Sequence, residues 1–230
     1  MLLSLRVAID ILLRYLLAKK NSQGALKSLD SYILNTHYVP DSRSKYLGAS
    51  VGLLGICFIL GIVGLYLMPE SVTHWSKEKF GLGSWFHNVC LGPQFDDDLF
   101  IFNWVLHPYF GAIYYMQSRV AGYRWSAGVL FTFLVSTFFW EYGLEAFVEI
   151  PSWQDLICTP TMGPLVGEFF YHATQHIQRH QKKLLGFRLL GHTALFCMDF
   201  IGFVLQNLGV TKMLGIENKN SLKKAKKYLP

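Results

Sequence analysis

Charge is scarce in this chain. Only 16% of its 230 residues are Asp, Glu, Lys or Arg, while 52% are hydrophobic and 16% aromatic. An average soluble domain carries about 25% charged residues. The shortage points towards lipid. Acid is scarcer than base, 15 residues against 21, which leaves a formal net charge of +6. Nucleic-acid binding does not follow from that excess, because no zinc-finger spacing and no RNA-binding signature appears. The basic residues gather in residues 1–45, 179–188 and 212–227 and flank the apolar runs, as juxtamembrane loops facing the cytoplasm do.

Cysteine is rare and unpatterned. Cys57, Cys90, Cys158 and Cys197 show no C-x-x-C spacing, which argues against a disulfide framework. A single Cys90–Cys158 bridge stays open if both lie on an oxidising face. A G-x-S-x-G elbow is missing, so Ser136, Ser152 and Thr159 read as packing or capping residues and not as nucleophiles. A secretory signal peptide is missing too, since Arg6, Asp10 and Arg14 interrupt the opening MLLSLRVAIDILLRYLLAKK. That stretch reads as an amphipathic helix, lying on a membrane or packing on protein.

What is present is apolar sequence of membrane-crossing length. Residues 49–68 carry no charge, across the roughly 20 positions needed to cross about 30 Å of hydrocarbon. Lys and Arg precede this run and Glu70 follows it, which sets the N-terminus in the cytoplasm. The chain divides into a cytoplasmic amphipathic segment at 1–48 and a transmembrane anchor at 49–68. An extracytoplasmic interfacial segment at 69–98 contains Trp75, Phe80, Trp85 and Phe86, and a helical membrane domain with a polar core occupies 99–210. A basic cytoplasmic tail covers 211–230. Within the domain, spans are predicted over 99–116 and 125–147, the latter stopped by Pro151. A further helix is predicted to start near Pro160, with Thr159 as its cap. Segment 189–210 is predicted to be re-entrant or interfacial, because a full crossing would leave the lysine-rich tail outside. The expected fold class is all-α: an integral membrane bundle of about four transmembrane helices, with a re-entrant C-terminal helix and an amphipathic N-terminal one.

Carboxylates inside such segments cost several kcal/mol each unless neutralised or paired, so they define the candidate site. Glu141, Glu145 and Glu149 are spaced by four and would form one helical row. Glu168, His172, His176 and His180 would form a second. A hairpin at 151–159, closed by Gly163-x-x-x-Gly167, would bring the rows together and let Glu168 bond Glu145 or Glu141. Asn103-x-x-x-His107 would add a third contributor, with His107 and a carboxylate forming an acid–base pair. The candidate polar cluster is thus Asn103, His107, Glu141, Glu145, Ser152, Asp155 and Glu168. His172 and His176 could ligate zinc or iron, but H-E-x-x-H and E-x-x-H are both absent, and neither metal nor other cofactor is expected. Asp96, Asp97 and Asp98 lack EF-hand spacing and read as a solvated turn or helix start.

The runs NWVLHPYFGAIYY, RVAG and WEYGLEAFVEIPSWQDLICTPTMGPLVGE closely resemble the bacterial envelope family called domain of unknown function 3943, over about residues 94–178. Asn103, His107, Gly111, Tyr115, Arg119, Glu141, Glu145, Ser152, Asp155, Thr159, Gly163, Gly167 and Glu168 are among the positions that match its pattern. The resemblance implies an envelope protein without an established activity, and the anchor before the domain favours the inner membrane. A looser similarity to VanZ-like membrane proteins rests on Glu145, Ser152, Asp155, Gly163 and Gly167. The expected role is accessory, binding membrane lipids, an envelope protein partner or a second copy through the buried cluster, with no nucleic acid. The alternative is an enzyme acting on a lipid through His107 and a Glu. A transporter is disfavoured because no internal repeat is present.

Overall fold

The computed structural model describes residues 40, 42–73, 80–207 and 209–216. Residues 1–39 of the N-terminal segment and 217–230 of the basic tail lie outside the described residues, as does Trp75. Among the described residues every extended element is helical, and no strand forms.

Helix α1 (Arg43–Leu67) is capped by Ser42, whose side chain accepts from the Lys45 N–H. Its one inward stripe, Tyr46, Leu54 and Phe58, packs into the core, while Ile56, Ile59, Leu60, Val63 and Leu67 face outwards. A short turn, α2 (Glu70–Thr73), and helix α3 (Leu82–Leu91) follow. A π-helical segment at Phe102–Leu106 leads directly into α4 (His107–Val120). Helix α5 (Trp125–Phe133) runs on into a π-helical stretch at Leu134–Leu144 and a 3₁₀ turn at Glu145–Phe147. The long α6 (Trp153–Arg179) is followed by α7 (Arg188–Met198), α8 (Phe200–Asn207) and the short α9 (Val210–Met213).

Helix α4 is the centre of the bundle, with Ala112 through Gln117 all buried. It meets α6 backbone to backbone: a Cβ on Gly163 would stand 2.6 Å from the Cα of Gly111. The ring of Tyr115 fills the next layer, wedged between Gly128 of α5 and Gly167 of α6. The Gly163-x-x-x-Gly167 pair therefore admits α4. It does not close the α5–α6 hairpin, as its spacing had suggested, because α4 lies in contact with both helices and takes the space the missing side chains leave.

Helix α6 begins at Trp153 and not near Pro160. Ser152 is its cap, accepting from the N–H groups of Gln154 and Asp155. Thr159, Pro160 and Pro164 lie inside the helix. An interior proline costs about 3 kcal/mol in an isolated helix. Here the earlier cap and the packing of the Thr159 carbonyl against Gly111 hold the helix through it. All four cysteines are free, so the Cys90–Cys158 bridge does not form.

Two helices, α1 and the continuous Trp125–Phe147, are long and apolar enough to cross a membrane. The α7–α8 pair, which meets at a 115° bend, passes the same test only when taken together.

Candidate functional site

The π-helical and 3₁₀ turns decide where the carboxylates go. Widening to i→i+5 bonding carries Glu141 into the interior, and the tightening that follows sets Glu145 beside it. The helix has ended by Glu149, which sits in the connecting loop with its N–H bonded to the Glu145 carbonyl at 3.0 Å. The expected row of three is thus a pair plus a loop residue, because the last turn is not α-helical.

The S-x-x-D spacing at Ser152 and Asp155 suggests a capping box, in which the acidic residue would take the N–H of the cap. That half of the box is reassigned. The Ser152 N–H donates to Glu141 Oε1 at 2.5 Å, which frees Asp155 to face His107. His107 Nε2 lies 3.3 Å from Asp155 Oδ1, and its Nδ1 is 3.0 Å from Thr159 Oγ1. Glu141, Glu145 and Asp155 each offer an oxygen, and the three lie within 4.8 Å of one another. Among the described residues the only ion pair made by these three is that of Asp155 with His107.

Asp96 completes the cluster. Its segment is pinned to the start of α6 by Gln94 N–H to the Pro151 carbonyl at 2.9 Å and Trp153 N–H to the Gln94 carbonyl at 2.8 Å. Asp96 then accepts from Asn103 Nδ2 at 2.6 Å, from the Asp98 N–H at 3.0 Å and from the Ser152 hydroxyl. The solvated-turn reading holds for exposed Asp97 but not for Asp96. The S-x-x-D motif could not reveal this partner, since 56 residues separate Asp96 from Ser152.

Of the sequence-predicted residues, Asn103, His107, Glu141, Glu145, Ser152 and Asp155 come together and Glu168 does not. Glu168 is held by a bidentate Arg119, with Nε to Oε2 at 2.8 Å and Nη2 to Oε1 at 2.9 Å. The Tyr115 hydroxyl adds a third bond at 2.5 Å. The Arg119 guanidinium also lies over the Tyr171 ring at 4.0 Å. The expected bond from Glu168 to Glu145 or Glu141 is therefore absent: Arg119, near the C-terminal end of α4, satisfies the carboxylate. His172 pairs with Glu168 at 3.2 Å, and His176 stacks on His180.

A cleft of about 550 Å³ opens beside the cluster, lined by His87, Asn88, Gln94, Asp96, Asp97 and Glu149 among others. Asn88 braces it, its amide donating to the carbonyls of Ala146 at 3.0 Å and Glu149 at 3.1 Å. Burial, reinforced by repulsion from Asp98, Asp96 and Glu141, pushes the Glu149 carboxyl from 4.5 up to about 8. The folded protein keeps this proton while the unfolded chain loses it. The contribution to stability is therefore complete below pH 4.5 and is lost as pH rises to about 8. Allowing for screening of a partly exposed group, the loss is about 2 kcal/mol. Thermal unfolding in chelator will show a falling midpoint over this range, and Glu149→Gln will flatten the fall.

These features define an all-helical protein, with at least two helices able to cross a membrane, built around a buried carboxylate–imidazole cluster at one end of its bundle. Residues 92–201 match the family model of the domain of unknown function DUF3943. No curated protein and no solved structure matches the chain. The VanZ-like similarity finds no support in these comparisons.

Proposed function

We propose that this is a multi-pass inner-membrane protein of the bacterial envelope, with its N-terminus in the cytoplasm, that binds a positively charged group in the acidic cleft. The observation that carries this reading is the continuity of cleft and cluster: Asp96 is both a wall of the cleft and a member of the hydrogen-bonded set. A cleft lined by carboxylates attracts and retains cations. The orientation is supported by charge. Arg43, Arg119, Arg124, Arg179 and Arg188 fall at one set of helix ends, while Glu70, Asp96 and Glu149 fall at the other.

In this reading α4 and α6 are the second and fourth spans, their polar residues turned towards each other and away from lipid. At 27 residues α6 is about 40 Å long, enough to cross. The bent α7–α8 pair is the re-entrant element, since a 115° bend turns the chain back on itself.

The cationic group belongs to a lipid headgroup or to a partner protein. Native mass spectrometry from mixed bilayers separates these sources. Retention of ethanolamine lipid over glycerol lipid, lost in Asp97→Asn, supports a headgroup. Copurification of a second chain, lost in the same variant, supports a partner. Equal retention of both lipids with no partner contradicts the reading. Acid–base catalysis on a lipid is a second reading, favoured by the His107–Asp155 pair. It requires a mass change in the bound lipid that His107→Gln abolishes.

A further inference from the structure

Two buried oxygens in the cluster, Asn103 Oδ1 and Glu145 Oε2, accept no hydrogen bond, and a third, Asp155 Oδ1, has only the 3.3 Å ion-pair contact with His107. Asn103 is the informative one, because it is neither acidic nor solvated. It is only 3% exposed, and its amide is tied to the cluster by the 2.6 Å bond from Nδ2 to Asp96. That bond requires the nitrogen to face Asp96, so the oxygen is the atom left without a donor. An unsatisfied buried acceptor costs about 1–3 kcal/mol, and a carboxylate oxygen costs more.

Protein donors do not fill the gap. The His107 ring is already engaged by Thr159 and Asp155. The Ser152 N–H and hydroxyl are taken by Glu141 and Asp96. What would satisfy several acceptor-only oxygens together is a cation, and an all-oxygen donor set selects a hard one. Geometry narrows the choice. The three carboxylate oxygens lie within 4.8 Å of one another, and calcium accepts carboxylates and amide oxygens in flexible geometry at about 2.3–2.6 Å, whereas magnesium demands a near-ideal octahedron and gives up its waters reluctantly.

We propose that Glu141, Glu145 and Asp155 bind a calcium-class divalent cation, next to the acidic cleft that Asp96 joins to the cluster, with the Asn103 oxygen as a further ligand. The cation neutralises the carboxylates, ties the end of the α5 helix to the start of α6, and leaves Asp97 of the outer cleft for the ligand's own charge. This inference rests on the cation-binding reading of the cleft and specifies its inorganic part.

The test uses full-length protein in nanodiscs, stripped with chelator and titrated at pH 7 with Ca²⁺, Mg²⁺ or Zn²⁺, read by calorimetry and thermal unfolding. One Ca²⁺ per chain is expected, with a saturable rise in unfolding temperature and weaker binding of Mg²⁺. Glu145→Gln, which keeps shape and removes charge, is expected to weaken Ca²⁺ at least tenfold while the metal-free protein stays folded by circular dichroism. If that variant does not fold, Asp155→Asn is the substitute, and wild-type stoichiometry remains decisive. No response of the wild type up to about 10 mM Ca²⁺, well above weak extracellular sites, overturns the proposal. So does binding of Zn²⁺ alone, or an unchanged affinity in a folded variant. Selective headgroup or partner retention without any Ca²⁺ response would sink the metal site and leave the cleft reading standing. Loss of both would sink both.

Discussion

Gly163→Ala will destabilise the protein by about 3 kcal/mol, at the upper end of what overpacking by one methyl group costs. The new Cβ would lie 2.6 Å from the Cα of Gly111, 2.7 Å from its carbonyl carbon and 3.1 Å from the Ala112 nitrogen. All three are backbone atoms of a helix, so no side chain can swing aside. The helices α4 and α6 must separate. Gly55 of α1 supplies the control, because a Cβ added there would meet nothing within 4 Å. Gly55→Ala should stabilise by about 0.5–1 kcal/mol through helix propensity alone. Chemical unfolding of both variants in detergent measures the contrast. Separation of α4 from α6 also moves His107 from Thr159 and Asp155, so Gly163→Ala should weaken ligand binding as well as the fold.

Arg119→Gln will cost about 2 kcal/mol, and Glu168→Gln in the same chain will restore part of it. Losing one partner of a fully buried pair costs roughly 3–5 kcal/mol, because the remaining charge is stranded. The Glu168 side chain is 33% exposed, so solvent screens part of that penalty. Two further contacts leave with the guanidinium: its 2.8 Å bond to the Tyr123 carbonyl and its stacking on Tyr171. Those losses are not rescued by Glu168→Gln, which is why recovery is partial. A double-mutant cycle should return a coupling of about 1–2 kcal/mol. A coupling near zero would mean that Glu168 does not depend on Arg119.

The parts of this protein legible in its sequence are those set by local pattern. The uncharged run after Lys45 forms the long α1, and the apolar run after Arg124 continues to Phe147. Ser152 caps a helix at the S-x-x-D motif, and the four-residue spacing of Glu141 and Glu145 brings them together despite the altered helix type. What escaped the sequence was set by contacts at long range. Glu168 looked like a partner for Glu145 because both lie on adjoining helices, but its position is decided by Arg119, 49 residues away. Asp96 looked solvated among three aspartates, and only the pairing of Gln94 with the start of α6 turns it inwards. The glycine pair of α6 announced a close approach without saying to what. Thr159 before Pro160 resembled a helix start because proline most often marks one, and here an earlier cap took precedence.

The cluster functions as a binding site only if its cleft is open to the outer side of the membrane. His87, exposed on α3 and lining the cleft, reports on that directly. With the four native cysteines replaced by serine, His87→Cys can be probed in intact spheroplasts with a membrane-impermeant maleimide. The account predicts labelling without opening the membrane. Labelling only after the membrane is opened, or none at all, would contradict it.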